Sequence, residues 1–208
     1  PKNIFPSNIQ GLPTWFEVRV NEKGYLGRRD GIDIFVAMNP QSYQNDVSEL
    51  KENGYLIYDS SWKRDFGIDD INIIEIPLTE LCVKEFTNPK QRLLFKNLGY
   101  VGLLASILKM DKDIYVSLIE EQFRGKEKLI EPNVKALNIG YNYAEENFKD
   151  FCEIQVEKSN KTDGLILTSG NDAAGLGCVY GGATVCAWYP ITPSTSLAES
   201  YSKYSEQL

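Results

Sequence analysis

The chain has 208 residues, 42% of them apolar and 25% charged, and a net charge of −7. That is enough for a sizeable core and part of a second domain, and the acidic balance argues against nucleic-acid or anionic-membrane binding. There is no histidine, which removes the Ser-His triad, the Cys-His dyad and most zinc sites. Any proton chemistry must then come from another subunit or an organic cofactor.

The first strand pattern is Trp15 to Val20, alternating apolar and polar residues, followed by a turn at Asn21-Glu22-Lys23-Gly24. Ile32 to Met38 is a nearly continuous apolar run, the pattern of a parallel strand covered on both faces and ended by Asn39-Pro40. Gln41 to Leu50 reads as a short helix. Gly54 precedes a third strand, Tyr55 to Tyr58, and Ile71 to Ile76 is a fourth, ended by Pro77. This is the rhythm of an open, mostly parallel α/β sheet. Helical spacing then takes over at Pro89–Leu108, Asp111–Phe123 and Glu131–Phe148, with Pro132 tolerated in a first turn. These helices are expected to pack on the sheet. Val156 to Asp163 is polar and aperiodic and reads as a linker. A short strand, Leu165-Ile166-Leu167, and a small-residue segment, Gly170 to Ala187, follow it, the latter opening as a helix.

The four cysteines, Cys82, Cys152, Cys178 and Cys186, show no C-x-x-C spacing, so nothing reads as a zinc ribbon or an iron–sulfur ligand set. Cys178 and Cys186 are expected to be small buried hydrophobes. No signal peptide or run of about 18 apolar residues is visible, and sparse cysteines fit a reducing cytoplasm. The chain begins at Pro1 and stops at Leu208 within a helix-like stretch. Both ends read as cut.

The segment from Gly170 to Glu199, GNDAAGLGCVYGGATVCAWYPITPSTSLAE, carries the chemistry. Asn171 or Asp172 can cap a helix. Glycine within a helix costs about 1 kcal/mol relative to alanine, so Gly175, Gly177, Gly181 and Gly182 imply close approach of a backbone or a ligand, or tight helix–sheet packing. Pro190 and Pro193 stiffen the loop that follows and present Thr192, Ser194 and Thr195 as hydroxyl donors. Open α/β sheets place ligands on such loops.

GNDAAGLGCVYGGATV followed by YPITPSTSLAE resembles the start of the α (pyrimidine-binding-type) domain of the 2-oxoacid:ferredoxin oxidoreductases. Upstream, NIFPSNIQGLPTW from Asn3 to Trp15, VAMNP from Val36 to Pro40, and GKEKLI from Gly125 with Pro132-Asn133 resemble the γ domain of the same enzymes. The γ-then-α order is similar to the 2-oxoglutarate-type α subunit. The resemblance implies a γ domain over 1–155 lacking its first strand and glycine-rich loop, a linker over 156–163, and the beginning of an α domain over 164–208.

It further implies oxidative decarboxylation of a 2-oxoacid, with 2-oxoglutarate favoured and pyruvate or a branched 2-oxoacid open. The acyl group goes to coenzyme A and electrons pass through iron–sulfur clusters to ferredoxin. Thiamine diphosphate, its magnesium and the clusters are expected mainly on other subunits, above all a thiamine-diphosphate-binding β subunit, leaving this fragment inactive alone. The first threonine of the family's YPITP run contacts the substrate's carboxylate or keto group, and that position is Thr192. The partnering arginine and the cofactor-activating glutamate are expected beyond Leu208.

Arg28 and Arg29 form a pair able to bind phosphate through bidentate hydrogen bonds, which makes them candidates for a CoA phosphate. A solvated turn or an ion pair to an acidic residue is the competing reading. Gln10 to Trp15 is a candidate interface segment. A non-catalytic γ-type assembly or CoA/nucleotide-binding module is the alternative function. No G-x-G-x-x-G follows a strand, which weighs against a Rossmann dehydrogenase.

Overall fold

In the computed structural model, residues 2–4, 15–25, 27–38 and 42–207 are described. They divide into two compact units, Arg19–Glu157 and a second that joins Pro1–Val18 to Lys158–Leu208.

The larger unit is built on three parallel strands, β3 (Ile32–Ala37), β4 (Leu50–Asp59) and β5 (Asn72–Ile76), in the order β3-β4-β5. Successive side chains of a strand point to opposite faces, and β4 uses both. Tyr55 and Ile57 join one core with Ile74, Ile76, Leu78, Phe95 and Leu103. Leu56 and Tyr58 join another with Ala37 and Val47, against Phe35 and Phe66. Hence the strand reads as a continuous apolar run. The first face is covered by α2 (Leu78–Glu85), α3 (Pro89–Ile107) and α5 (Ile130–Asn147). A short helix, α1 (Tyr43–Val47), lies on the β3–β4 crossover, and α4 (Lys112–Gln122) links α3 to α5.

α3 begins where its sequence allows. Asn88 caps it, its Oδ1 accepting from the Lys90 amide at 3.0 Å, and Pro89 occupies a position whose missing N–H costs nothing. Glycines set how closely α3 and α5 approach. A Cβ added at Gly140 would stand 1.7 Å from the Gly99 carbonyl oxygen, and one at Gly102 would stand 1.9 Å from that of Leu137.

At the carboxyl end of β4 the buried Asp59 carboxylate gathers the adjoining elements. Lys96 Nζ on α3 donates to it at 2.8 Å, the amides of Thr79 and Ser61 donate at 3.1 Å, and the Thr79 hydroxyl also donates. Burial alone pushes this carboxyl up, but the hydrogen bonds from Lys96, Thr79 and Ser61 and the Lys96 charge outweigh it and hold it below the usual value. Trp62 lies against the same ammonium, 4.3 Å from ring centroid to Nζ.

Several expectations change. The third strand starts earlier than Gly54 suggested: β4 runs from Leu50. Its register with β3 jumps from Ile32↔Leu50 to Ile34↔Tyr55, and Asn53 takes φ +60°, so the intervening residues bulge without ending the strand. The first strand is shorter, β2 (Trp15–Glu17), and pairs antiparallel with β1 (Lys2–Ile4). Its alternation is inverted: Phe16, Val18 and Val20 are exposed. α2 escaped the sequence reading, although Leu78 and Cys82 bury one helical face. The strand expected at Leu165-Ile166-Leu167 is not formed, because no described segment pairs with it. The small-residue helix is α6 (Gly170–Tyr180), and Gly181, Gly182 and Ala183, expected within it, lie beyond its end. Gly182 turns the chain out of it at φ +78°, a conformation glycine adopts without a Cβ clash. Most of Asn3–Trp15 and the Asn39-Pro40 strand end lie outside the described residues, including the candidate interface segment from Gln10 to Thr14.

Candidate functional site

The loop expected to carry the chemistry lies between α6 and α7 (Ser194–Gln207), within the smaller unit. Its near support is the start of α6. The sequence proposed Asn171 or Asp172 as the cap, but the cap is Ser169. The Asp172 amide donates to Ser169 Oγ at 3.1 Å, and that hydroxyl donates to Asp172 Oδ2 at 2.6 Å. This is a capping box with aspartate in the returning position. Asp172 also accepts from the Ser200 hydroxyl. The bonds from Ser169 and Ser200 hold its carboxyl below the usual carboxylate range.

Asn171 is therefore free of capping and reaches across to the loop. Its Nδ2 donates to the Pro193 carbonyl at 2.8 Å and to Ser196 Oγ at 2.7 Å. Ser196 Oγ itself donates to Pro193 O at 3.1 Å. One turn further on, Gly175 abuts α7: a Cβ there would meet the Tyr201 amide nitrogen at 2.8 Å. Close approach is thus the reason for one helical glycine. A Cβ at Gly177 would meet nothing within 4 Å. The Tyr201 hydroxyl donates to Ala183 O at 2.6 Å, pinning the far side of the loop.

Within the loop the Thr192–Pro193 peptide is cis. The Ile191 amide donates to Tyr189 O at 2.8 Å, and the Ser194 amide to Ile191 O at 2.7 Å. Ser194 Oγ lies 2.7 Å from Ile191 O and 3.0 Å from Tyr189 O, so its single proton is spent inside the loop and only its lone pairs are left to a ligand. Thr195 is half-buried at the start of α7. Thr192 is exposed, and among the described residues nothing engages its hydroxyl. From Trp188 to Ser200 there is no Lys or Arg. This loop offers neutral hydrogen bonds and no cation to hold a diphosphate.

Of the two remaining candidates, Arg28 is already paired with Glu49, across a shallow groove of about 430 Å³ that Asp30, Gly31 and Lys51 also line. Both partners are about half exposed, so the pair is a weak one. Arg29 is exposed. The cysteines divide: Cys82 and Cys152 are buried, whereas Cys178 is exposed and Cys186 is half-buried beyond the helix end. The expectation fails for Cys178, which is exposed on α6, and is met only in part by Cys186, which is half-buried beyond it. Among the described residues no group of three or more His, Cys, Asp or Glu side chains comes together to hold a metal ion. The described residues therefore offer no ligand set for magnesium or an iron–sulfur cluster.

Sequence reading missed Asn171 as a tether, and with it Ser200 and Tyr201. It also missed Ser169 as the cap, although the spacing of Ser169 and Asp172 is that of a capping box. Nothing local signals a partner such as Pro193 or Ser196, more than twenty residues further along the chain.

A three-stranded parallel sheet roofed by helices, followed by a helix–loop–helix bearing an unengaged threonine hydroxyl, defines an α/β protein. Residues 2–143 match the family model described as pyruvate ferredoxin/flavodoxin oxidoreductase, and the chain belongs to that family. It is 26% identical over 243 aligned residues to 2-oxoacid:ferredoxin oxidoreductase 2, subunit alpha, of Aeropyrum pernix, covering 97% of this chain and 37% of that protein. It is 23% identical to 2-oxoglutarate oxidoreductase subunit KorA of Mycobacterium tuberculosis, covering 91% of this chain and 33% of that one. Among solved structures, the 2-oxoglutarate:ferredoxin oxidoreductase from Magnetococcus marinus with 2-oxoglutarate, coenzyme A and succinyl-CoA bound matches with a TM-score of 0.72 at 24% identity, over 86% of this chain and 31% of that one. That likeness establishes a shared fold. The chain thus spans about a third of the length of these relatives. No described helix is long and apolar enough to cross a membrane.

Proposed function

We propose that this chain is part of the α-type subunit of a cytoplasmic 2-oxoacid:ferredoxin oxidoreductase that converts 2-oxoglutarate to its acyl-CoA and passes the electrons to ferredoxin. Ketoisovalerate oxidoreductase subunit VorA of Methanothermobacter marburgensis, 25% identical over 58% of this chain, keeps a branched 2-oxoacid as the second substrate reading. In this assignment residues 1–155 are the γ domain, 156–163 a linker and 164–208 the opening of the α domain. A β subunit completes the site and brings thiamine diphosphate, which acts as an electron sink when bound. The fragment alone is inactive.

One observation carries the reading: the Thr192 hydroxyl is exposed and unengaged, whereas Ser194 spends its proton inside the loop. Its role is to donate to the 2-oxoacid's carboxylate or keto oxygen and fix its orientation. A neutral hydroxyl does this without exchanging a proton with the substrate. Thr195 lines the same loop as a secondary hydroxyl, and Ser194 becomes a second donor when it releases the Ile191 and Tyr189 carbonyls. Arg28 and Arg29 are assigned to a CoA phosphate, and Arg28 must exchange Glu49 for that ligand.

The test is steady-state kinetics of the complete complex carrying Thr192→Val, with Thr192→Ser beside it. Valine keeps the shape and removes the hydroxyl, so kcat/KM for the 2-oxoacid should fall by an amount equivalent to about 0.5–3 kcal/mol, with serine recovering most of it. Wild-type kinetics for Thr192→Val would refute the role.

A further inference from the structure

We propose that Asn171 is a positioning residue that holds Thr192 in its working place. The inference rests on the reading of Thr192 just given and extends it to a second residue on another helix. Asn171 sits in the first turn of α6, and both N–H bonds of its amide are spent on the far side of the loop: one on the Pro193 carbonyl at 2.8 Å, one on Ser196 Oγ at 2.7 Å. Pro193 directly follows Thr192, so the carbonyl that Asn171 grips is one residue from the hydroxyl that meets the substrate. Ser196 closes the triangle by donating to the same carbonyl at 3.1 Å.

The arrangement is directional. Ser169 and Asp172 satisfy the start of α6, which releases Asn171 from capping. Asp172 and Gly175 fasten α7 through Ser200 and the Tyr201 backbone, with or without Asn171. Helix docking rests mainly on Asp172 and Gly175, and the Pro193 side of the loop on Asn171, whose second bond reaches only Ser196 in the first turn of α7. Losing Asn171 should move the loop and leave the helix pair docked. A site held about 1 Å too loosely loses rate out of proportion to stability.

The experiment is a double-mutant cycle in the complete complex, with Asn171→Asp as the probe. Aspartate keeps the size and the acceptors but has no N–H to give Pro193, and its carboxylate faces that carbonyl. Asn171→Asp should lower kcat/KM for the 2-oxoacid about tenfold, as expected for two lost hydrogen bonds. Subunit assembly and the KM for CoA should be unchanged. In the Thr192→Val background the same substitution should add less than about twofold, because its effect passes through Thr192. Ser196→Ala, which removes one side of the triangle and introduces no charge, should give a smaller loss of the same kind. It keeps the test decisive if Asn171→Asp fails to assemble.

Wild-type kcat/KM in Asn171→Asp and Ser196→Ala, with Thr192→Val impaired, would overturn the positioning role while leaving Thr192 in place. Full additivity of Asn171→Asp and Thr192→Val would overturn it as well. A silent Thr192→Val would remove the underlying reading and this inference with it.

Discussion

The two units deal with their apolar residues in opposite ways. In Arg19–Glu157 the sheet is covered on both faces, and Leu56, Ile57, Ile74 and Leu103 have no exposed surface. In Lys158–Leu208 the large apolar side chains face outward: Leu165 is 70% exposed, Ile166 86%, Leu167 80% and Val185 82%. The sheet strands and Leu165–Leu167 both have the composition of buried strands, yet among the described residues only the former have partners to pair with. The first unit carries its own stability. The second carries a loop tied internally through Ser194 and Asn171, with the Thr192 hydroxyl unengaged and several apolar side chains exposed.

Asp59→Asn is the sharpest way to challenge that contrast. It leaves the buried Lys96 ammonium without its counter-charge and should destabilise the larger unit by about 3–5 kcal/mol. Asp59→Leu combined with Lys96→Met should recover much of this in denaturant melts. The carboxyl is held below its unfolded value, so its contribution is complete above about pH 4 and is lost as pH falls through the folded value. Acid melts of wild type should show that loss, and those of the double variant should not. If Asp59→Asn melts like wild type, the claim that the polar cluster fastens β4 to α2 and α3 fails.

Gly140→Ala should cost somewhat less, about 1–3 kcal/mol, because a Cβ 1.7 Å from the Gly99 oxygen forces α3 and α5 apart. Chemical denaturation of the variant checks it, and an unchanged midpoint would mean the helices do not pack this closely.

The smallest effect is expected at Arg28. Its half-exposed pair with Glu49 contributes under about 1 kcal/mol, so Arg28→Ala should hardly shift the melt. With Arg29→Ala added, apparent CoA affinity in the complete complex should fall. Unchanged affinity would end the phosphate assignment.

Legibility in the sequence followed the same division. β3, the buried half of β4, α3 and α5 were readable because local period and tertiary burial agree there. The early start of β4 was not, since Asn53 and Gly54 look like a strand break and become a bulge only beside β3. Leu165–Leu167 had the pattern of a strand, but a strand exists only by pairing. At the candidate site Thr192 is proposed from its motif, whereas the sequence points to Asn171 or Asp172 as the cap and misses Ser169, although the spacing of Ser169 and Asp172 is that of a capping box. Asn171 was not, because the partners that define its role sit on another helix.

The central claim, that Thr192 presents a free hydroxyl to a 2-oxoacid, is tested most directly by the structure of the complete complex with substrate bound. The account predicts Thr192 Oγ1 at about 2.7–2.8 Å from a carboxylate or keto oxygen, with Asn171 still bonded to Pro193 O. A bound 2-oxoacid with Thr192 beyond hydrogen-bond reach would contradict it.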